Sequence, residues 1–203
     1  MIRPDLSLLA GLVPEGSRVL DLGCGNGALL RHLIDTKGCR GTGVDIDDVA
    51  VLEAISAGVE VIELDLDTEL TEFADESYDV VILSRTLQVV LNPEAVLSQM
   101  ARIGTRSILS MPNFGLWKHR LRLLGGHMPR SRDLPYEWFN SPNLHHATLV
   151  DLEKFLTGLG LTIEERIPLR EDGSTGPLVR ARPNLFAGAA IYRLASGGVD
   201  SQP

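Results

Sequence analysis

The stretch Asp21-Leu22-Gly23-Cys24-Gly25-Asn26-Gly27 puts a carboxylate two residues ahead of three alternating glycines, between an apolar run and an amphipathic one. Glycine at such a bend allows backbone angles closed to other residues and lets a ligand approach the main chain. A strand running through glycines into a helix also presents backbone N–H groups and the positive end of the helix. A dinucleotide and an adenosyl group both fit that description, so spacing has to separate them. The dinucleotide loop is spaced G-x-G-x-x-G, with pyrophosphate at the helix start. Here the spacing is G-x-G-x-G, and Asp21 aims a negative charge into the turn. That arrangement serves a pyrophosphate poorly and a ligand bearing an ammonium group well.

Two further acids fall where such a ligand would need them. Asp45 ends a second apolar run in "GVDID", eighteen residues after Gly27, where a carboxylate can accept both ribose hydroxyls. Asp65 ends a third in "ELDLD", where it can accept an exocyclic adenine amine, with Leu66 covering one face of the ring. These positions describe one crevice at the carboxyl edge of an open α/β sheet, the edge at which such sheets bind ligands.

The elements that must hold this crevice alternate β-branched runs with amphipathic stretches, the pattern of a parallel sheet. Residues 4–13 read as a leading helix, 17–23, 40–46, 59–66, 78–84 and 106–112 as five strands, and 26–35, 47–56 and 93–104 as helices between them. Pro93 suits a first helical turn, and Thr148 with Asp151 suits the cap of a helix over 148–160. "LTIEERIPLR" and "LFAGAAIYRLA" read as a closing antiparallel pair joined by the Gly/Pro-rich stretch 171–184. The expectation is one domain over residues 1–195, with a disordered tail over 196–203.

With 203 residues and 44% hydrophobic content, the chain can bury a sizeable core. Its formal charge of −8 argues against a nucleic-acid partner. No apolar run approaches membrane-spanning length, and the first residues lack the features of a signal peptide, so a cytoplasmic location with no membrane partner is expected. Cys24 and Cys39 make no disulfide framework, and no Cys/His group has metal-ligand spacing.

Residues 113–147 break the alternation. They carry five Lys/Arg against two acids, together with Phe114, Trp117, Tyr136, Trp138 and Phe139. Two readings fit: a lid over an acceptor, or a partner-binding insertion, since Trp, Tyr and Arg are enriched in interface hot spots. Candidate proton acceptors are His119, His127, His145 and His146, one of the last pair being placed to reach over the crevice. Ser84, Arg85, Thr86 and Gln88 after the fourth strand offer hydrogen bonds without a strong base.

"DLGCGNG", Asp45, Asp65 and "YDVV" at 78–81 resemble the class I S-adenosylmethionine-dependent methyltransferases, over roughly residues 15–110 and the last strand at 185–195. The stretches "SMPNFGLWKHRLRLLGGHMP" and "LPYEWFNSPNLHHATLVDLEKF", outside that general core, narrow the resemblance to the MetW family of methionine biosynthesis proteins. The resemblance implies a Rossmann-like α/β fold of seven strands, mostly parallel with an antiparallel last strand and helices on both faces. It implies S-adenosyl-L-methionine or S-adenosyl-L-homocysteine as cofactor, with Ser84 or its neighbours at the methyl end. The candidate cofactor-binding set is then Asp21, Gly23, Cys24, Gly25, Gly27, Asp45, Ile46, Asp65, Leu66 and Ser84. It further implies homoserine O-acyltransferase as a partner, with methyl transfer to a small metabolite as the alternative.

Overall fold

The computed structural model describes residues 4–196. In chain order it contains α1 (Pro4–Leu12), β1 (Arg18–Leu22), α2 (Ala28–Lys37), β2 (Arg40–Asp45), α3 (Asp48–Ser56) and β3 (Glu60–Glu63). A 3-10 turn (Leu70–Glu72) leads to β4 (Val80–Ser84), α4 (Pro93–Ile103), β5 (Ser107–Pro112) and α5 (Trp117–Leu124). The chain then runs through α6 (Leu149–Gly158), β6 (Leu161–Leu169), α7 (Pro177–Ala181), α8 (Pro183–Phe186) and β7 (Ala189–Ser196).

The seven strands form one sheet in the order β3-β2-β1-β4-β5-β7-β6. Neighbours from β3 to β5 are parallel, and β7 runs antiparallel to both β5 and β6. Alternate residues of the central strands face opposite sides, as a pleated strand requires. Leu20, Leu22, Val81, Leu83 and Leu109 join Val96, Leu97, Met100 and Ile103 of α4 in one core. Val19, Val80, Ile82 and Ile108 join Leu9 of α1 and Leu29, Leu30 and Leu33 of α2 in another. A sheet covered on both faces is what strands buried on both sides, such as β4 and β5, need.

The caps follow local chemistry. Asp47 accepts from the Ala50 N–H and Asn92 from that of Ala95, with Pro93 in the first turn of α4. Thr148 Oγ1 accepts from Asp151 N–H and donates to its carboxylate, a reciprocal cap on α6.

Three expectations change. Residues 185–186 belong to α8 rather than to the last strand, because Pro183 starts a helical turn that continues to Phe186. The stretch 171–184 holds α7, started in the same way by Pro177. Inside 113–147 lies α5, a helix that buries only His119 of its own residues. The expected tail lies outside the described residues, except for Ser196, which pairs with Leu161 at the end of β7.

Candidate functional site

At the carboxyl edge of β1 and β4 a cavity of about 480 Å³ is lined by Leu6, Asp21, Gly23, Cys24, Gly25, Asn26, Ala28, Leu29, Ser84, Arg85 and Thr86. The size is that of a small-molecule site. All three loop glycines have positive φ, at 74°, 54° and 70° for Gly23, Gly25 and Gly27. Each serves a different need. A Cβ on Gly23 would sit 2.6 Å from Thr86 Cγ2, and one on Gly27 would sit 3.0 Å from Ala54 Cβ, so those two glycines allow close packing. A Cβ on Gly25 would meet nothing within 4 Å. There the glycine keeps a face of the loop open.

The loop does not offer its N–H groups as the sequence pattern suggested. Gly23 and Cys24 both donate to the Val44 carbonyl, at 2.8 and 3.0 Å, and Gly27 donates to Cys24 O. Gly25 donates to Asp45 Oδ2 at 2.7 Å. The turn is therefore a poor cradle for a phosphate, because the N–H groups of Gly23, Cys24, Gly25 and Gly27 are engaged within the fold.

What the cavity does present is an acceptor. Asp21 is 2% exposed, and its Oδ1 has no hydrogen-bond partner among the described residues. Burial, and secondarily the charge of Asp45, push its carboxyl up to about 7. A buried carboxylate oxygen without a partner is costly, and a cationic donor entering the cavity would relieve that cost.

Cys24 lines the cavity, but its Sγ packs so tightly on β2 that Gly43 can carry no side chain. Burial pushes its thiol up to about 12, so it stays protonated and is no nucleophile. Ser84 Oγ lies 3.1 Å from Ser110 Oγ, and Thr86 Oγ1 donates to Ser84 O at 3.2 Å.

Of the candidate residues, Asp21, Gly23, Cys24, Gly25 and Ser84 meet around this one cavity. Gly27 lies behind it as the N-cap of α2. Asp45 adjoins it through Gly25 and steadies its own loop by accepting from the Asp47 N–H. Asp65 lies one strand further out, where its Oδ1 accepts from Asp67 N–H and the Leu64 N–H beside it donates to Asp45 O. Ile46 is 65% exposed and Leu66 half-buried; neither they nor Asp65 line the cavity. Leu6 of α1 and the αL residue Arg85 line it without any motif having marked Leu6 in advance.

The histidines lie elsewhere. His119 is buried, its Nδ1 3.1 Å from Phe114 O, and burial lowers its pKa. His145 Nε2 lies 3.1 Å from Val90 O, and the His146 ring meets Phe114 edge-on at 5.0 Å. His127 follows the end of α5, exposed. None lines the crevice, so the expectation that His145 or His146 reaches over it is corrected: the main-chain contacts of 144–145 and the Phe114 ring hold both away. Among the described residues no group of three or more His, Cys, Asp or Glu could hold a metal ion, and no helix is long and apolar enough to cross a membrane.

The profile of the family "methionine biosynthesis protein MetW" matches residues 3–194. The chain belongs to the MetW family. A relative from Rhodopirellula baltica, a "bifunctional methionine biosynthesis protein MetXA/MetW", is 34% identical over 197 residues. That match covers 92% of this chain and 32% of the relative, so the chain spans about a third of that protein's length. Among solved structures, an S-adenosylmethionine-dependent methyltransferase from Mesorhizobium loti superposes with a TM-score of 0.69 at 19% identity, covering 95% of this chain and 97% of that one. One from Geobacter sulfurreducens, in complex with S-adenosyl-L-homocysteine, superposes at 0.62 with 18% identity, covering 97% and 93%. The fold is that of the class I S-adenosylmethionine-dependent methyltransferases.

Proposed function

We propose that this chain binds S-adenosylmethionine, or its product S-adenosylhomocysteine, in the crevice and acts by supporting a homoserine O-acyltransferase as its protein partner. The unpartnered, buried Asp21 Oδ1 carries the ligand reading. It matches the α-ammonium of the amino-acid end, while the open face at Gly25 lets that end approach the loop. Asp45, with Ile46 beside it, takes the ribose, Asp65 and Leu66 take the adenine, and Ser84 lies at the sulfur end. When bound, S-adenosylmethionine supplies an electrophilic methyl group. The residues around the crevice bind and orient it, and among them no histidine stands ready to take a proton from an acceptor.

The partner reading draws on the family and on the relative that carries both MetXA and MetW in one chain. It also draws on the surface of 113–147. Trp117, Leu121 and Leu124 lie on one side of α5, 41%, 57% and 84% exposed. Nearby in sequence Trp138 and Phe139 form an exposed T-shaped pair with centroids 5.7 Å apart. An apolar, basic surface on an acidic chain fits a protein partner of opposite charge. Co-purification with the acyltransferase, and acyl-transfer assays with and without this chain, test the proposal. A complex and a changed rate are expected; neither appearing would overturn it.

The second reading is methyl transfer to a small metabolite, favoured by the hydroxyls of Ser84 and Thr86 at the end of β4 and of Ser110 beside them on β5. Incubation with methyl-labelled cofactor and a metabolite pool decides it. Confirmed binding with no labelled product would exclude it.

A further inference from the structure

The crevice and the 113–147 segment meet at one short turn. After β4 ends at Ser84, residues 85–88 touch both regions. On the crevice side Arg85 and Thr86 line the cavity, and Thr86 packs on the glycine loop closely enough to forbid a side chain at Gly23. On the segment side Arg85 Nη2 donates to Asp133 Oδ1 at 2.7 Å. The Gln88 carbonyl accepts the N–H groups of Leu144 and His145 at 2.8 and 3.0 Å. The Gln88 side chain closes the turn by donating to Arg85 O.

Arg85 sits in a demanding position. Its φ is 57°, in the left-handed region that residues with a side chain rarely adopt. Its N–H donates to Ser110 O at 2.9 Å, and its guanidinium lies between Asp133 and Asp5 of α1, with Nε 3.2 Å from Asp5 Oδ2. The Asp133 side chain is 4% exposed and fills a notch where a side chain on Gly188 would collide with its Oδ2. That Oδ2 has no hydrogen-bond partner among the described residues. A strained backbone and a half-satisfied buried carboxylate, both kept at the junction of two regions, call for a role beyond packing.

We propose that the Arg85–Gln88 turn couples the crevice to the 113–147 segment, with Arg85 acting as a positioning residue for that segment through Asp133. The coupling rests on the reading that the crevice holds an adenosyl amino acid. A ligand seated against Gly23, Ser84 and Thr86 fixes the turn. The fixed turn holds Asp133 and the amides of Leu144 and His145, and so steadies the face offered to a partner. A ligand that favours one arrangement of the turn favours everything bonded to that arrangement.

Hydrogen exchange of the full chain with and without S-adenosylhomocysteine tests this. The ligand is expected to slow exchange at the glycine loop and, by about fivefold or more, at Leu144 and His145, held by the Gln88 carbonyl, and at Ser131 and Leu134, which flank Asp133. Asp133→Asn keeps the side-chain shape and removes its charge; its glycine loop and residues 144–145 remain ligand-protected while the slowing at 131 and 134 falls below about twofold. Arg85→Lys gives an independent second variant, because one ammonium cannot span both carboxylates, and the same loss at 131 and 134 is expected. Protection confined to the glycine loop in the unaltered chain, or full protection at 131 and 134 in both variants, overturns the coupling and leaves the cofactor reading standing. No ligand-dependent protection anywhere in the unaltered chain overturns both.

Discussion

The glycine crevice and the 113–147 segment use the same chemical ingredients in opposite ways. In the crevice Asp21 is buried with its Oδ1 unpartnered at the wall of a cavity, so the surroundings favour a small cationic ligand. In the segment most charges are paired at the surface, as Arg130 is with Glu137 and Lys118 with Glu171, with Asp133 the buried exception, and Trp117, Leu121, Leu124, Trp138 and Phe139 are left outside. That arrangement demands another surface. One region is specified by what its interior lacks, the other by what its exterior still exposes.

Substitutions should separate the two. Gly23→Val carries the largest expected effect. The side chain collides with Thr86 at a left-handed φ, so the urea midpoint should report roughly 3 kcal/mol of lost stability, with ligand binding lost as well. Asp21→Asn should weaken S-adenosylhomocysteine binding in calorimetry by about 2–3 kcal/mol, the scale of a hydrogen bond to a charged group. An unchanged affinity would move the ammonium away from this carboxylate. Trp138→Ala combined with Phe139→Ala should cost about 2 kcal/mol or more in acyltransferase binding. The same pair should leave ligand affinity alone and stability within about 0.5 kcal/mol, since both side chains are exposed. A large fall in stability would mean that the aromatics belong to the core.

The smallest effect is in pH. With Asp21 pushed up to about 7, its protonated form predominates below that value and cannot pair with an ammonium. Ligand affinity should therefore fall by about tenfold from pH 8 to pH 6, and Asp21→Asn should flatten the profile. For the unliganded chain the sign is reversed. The folded value lies above the ordinary 3.8, so the folded state binds more protons than the unfolded state between those values. The contribution of Asp21 to stability then declines as pH rises from about 4 to about 7, a trend that denaturant midpoints of the unaltered chain and the Asn variant would expose.

Much of the crevice was legible in the sequence because its parts are local. Gly23, Gly25 and Gly27 stand together on one turn, and Asp45 and Asp65 follow runs whose β-branched residues mark strands. The role of the loop N–H groups was not legible, since Val44 and Asp45 come from the neighbouring strand to accept them. α5 was hidden because its apolar residues Trp117, Leu121 and Leu124 face away from the core, so burial never imposed the inward stripe by which a helix is recognised. α7 and α8 were hidden because Pro177 and Pro183, usual signs of a break, here begin helical turns.

The sequence by itself determined the α/β alternation, the G-x-G-x-G turn with Asp21 ahead of it, and the acids at consecutive strand ends. These are short-range patterns of periodicity and spacing. Only the tertiary structure decided that the loop donors are engaged, that Asp21 Oδ1 is left without a partner, and that Arg85 links the crevice to Asp133 across 48 positions. Satisfaction of a polar group depends on which distant groups folding brings within hydrogen-bond reach, and no local pattern carries that information.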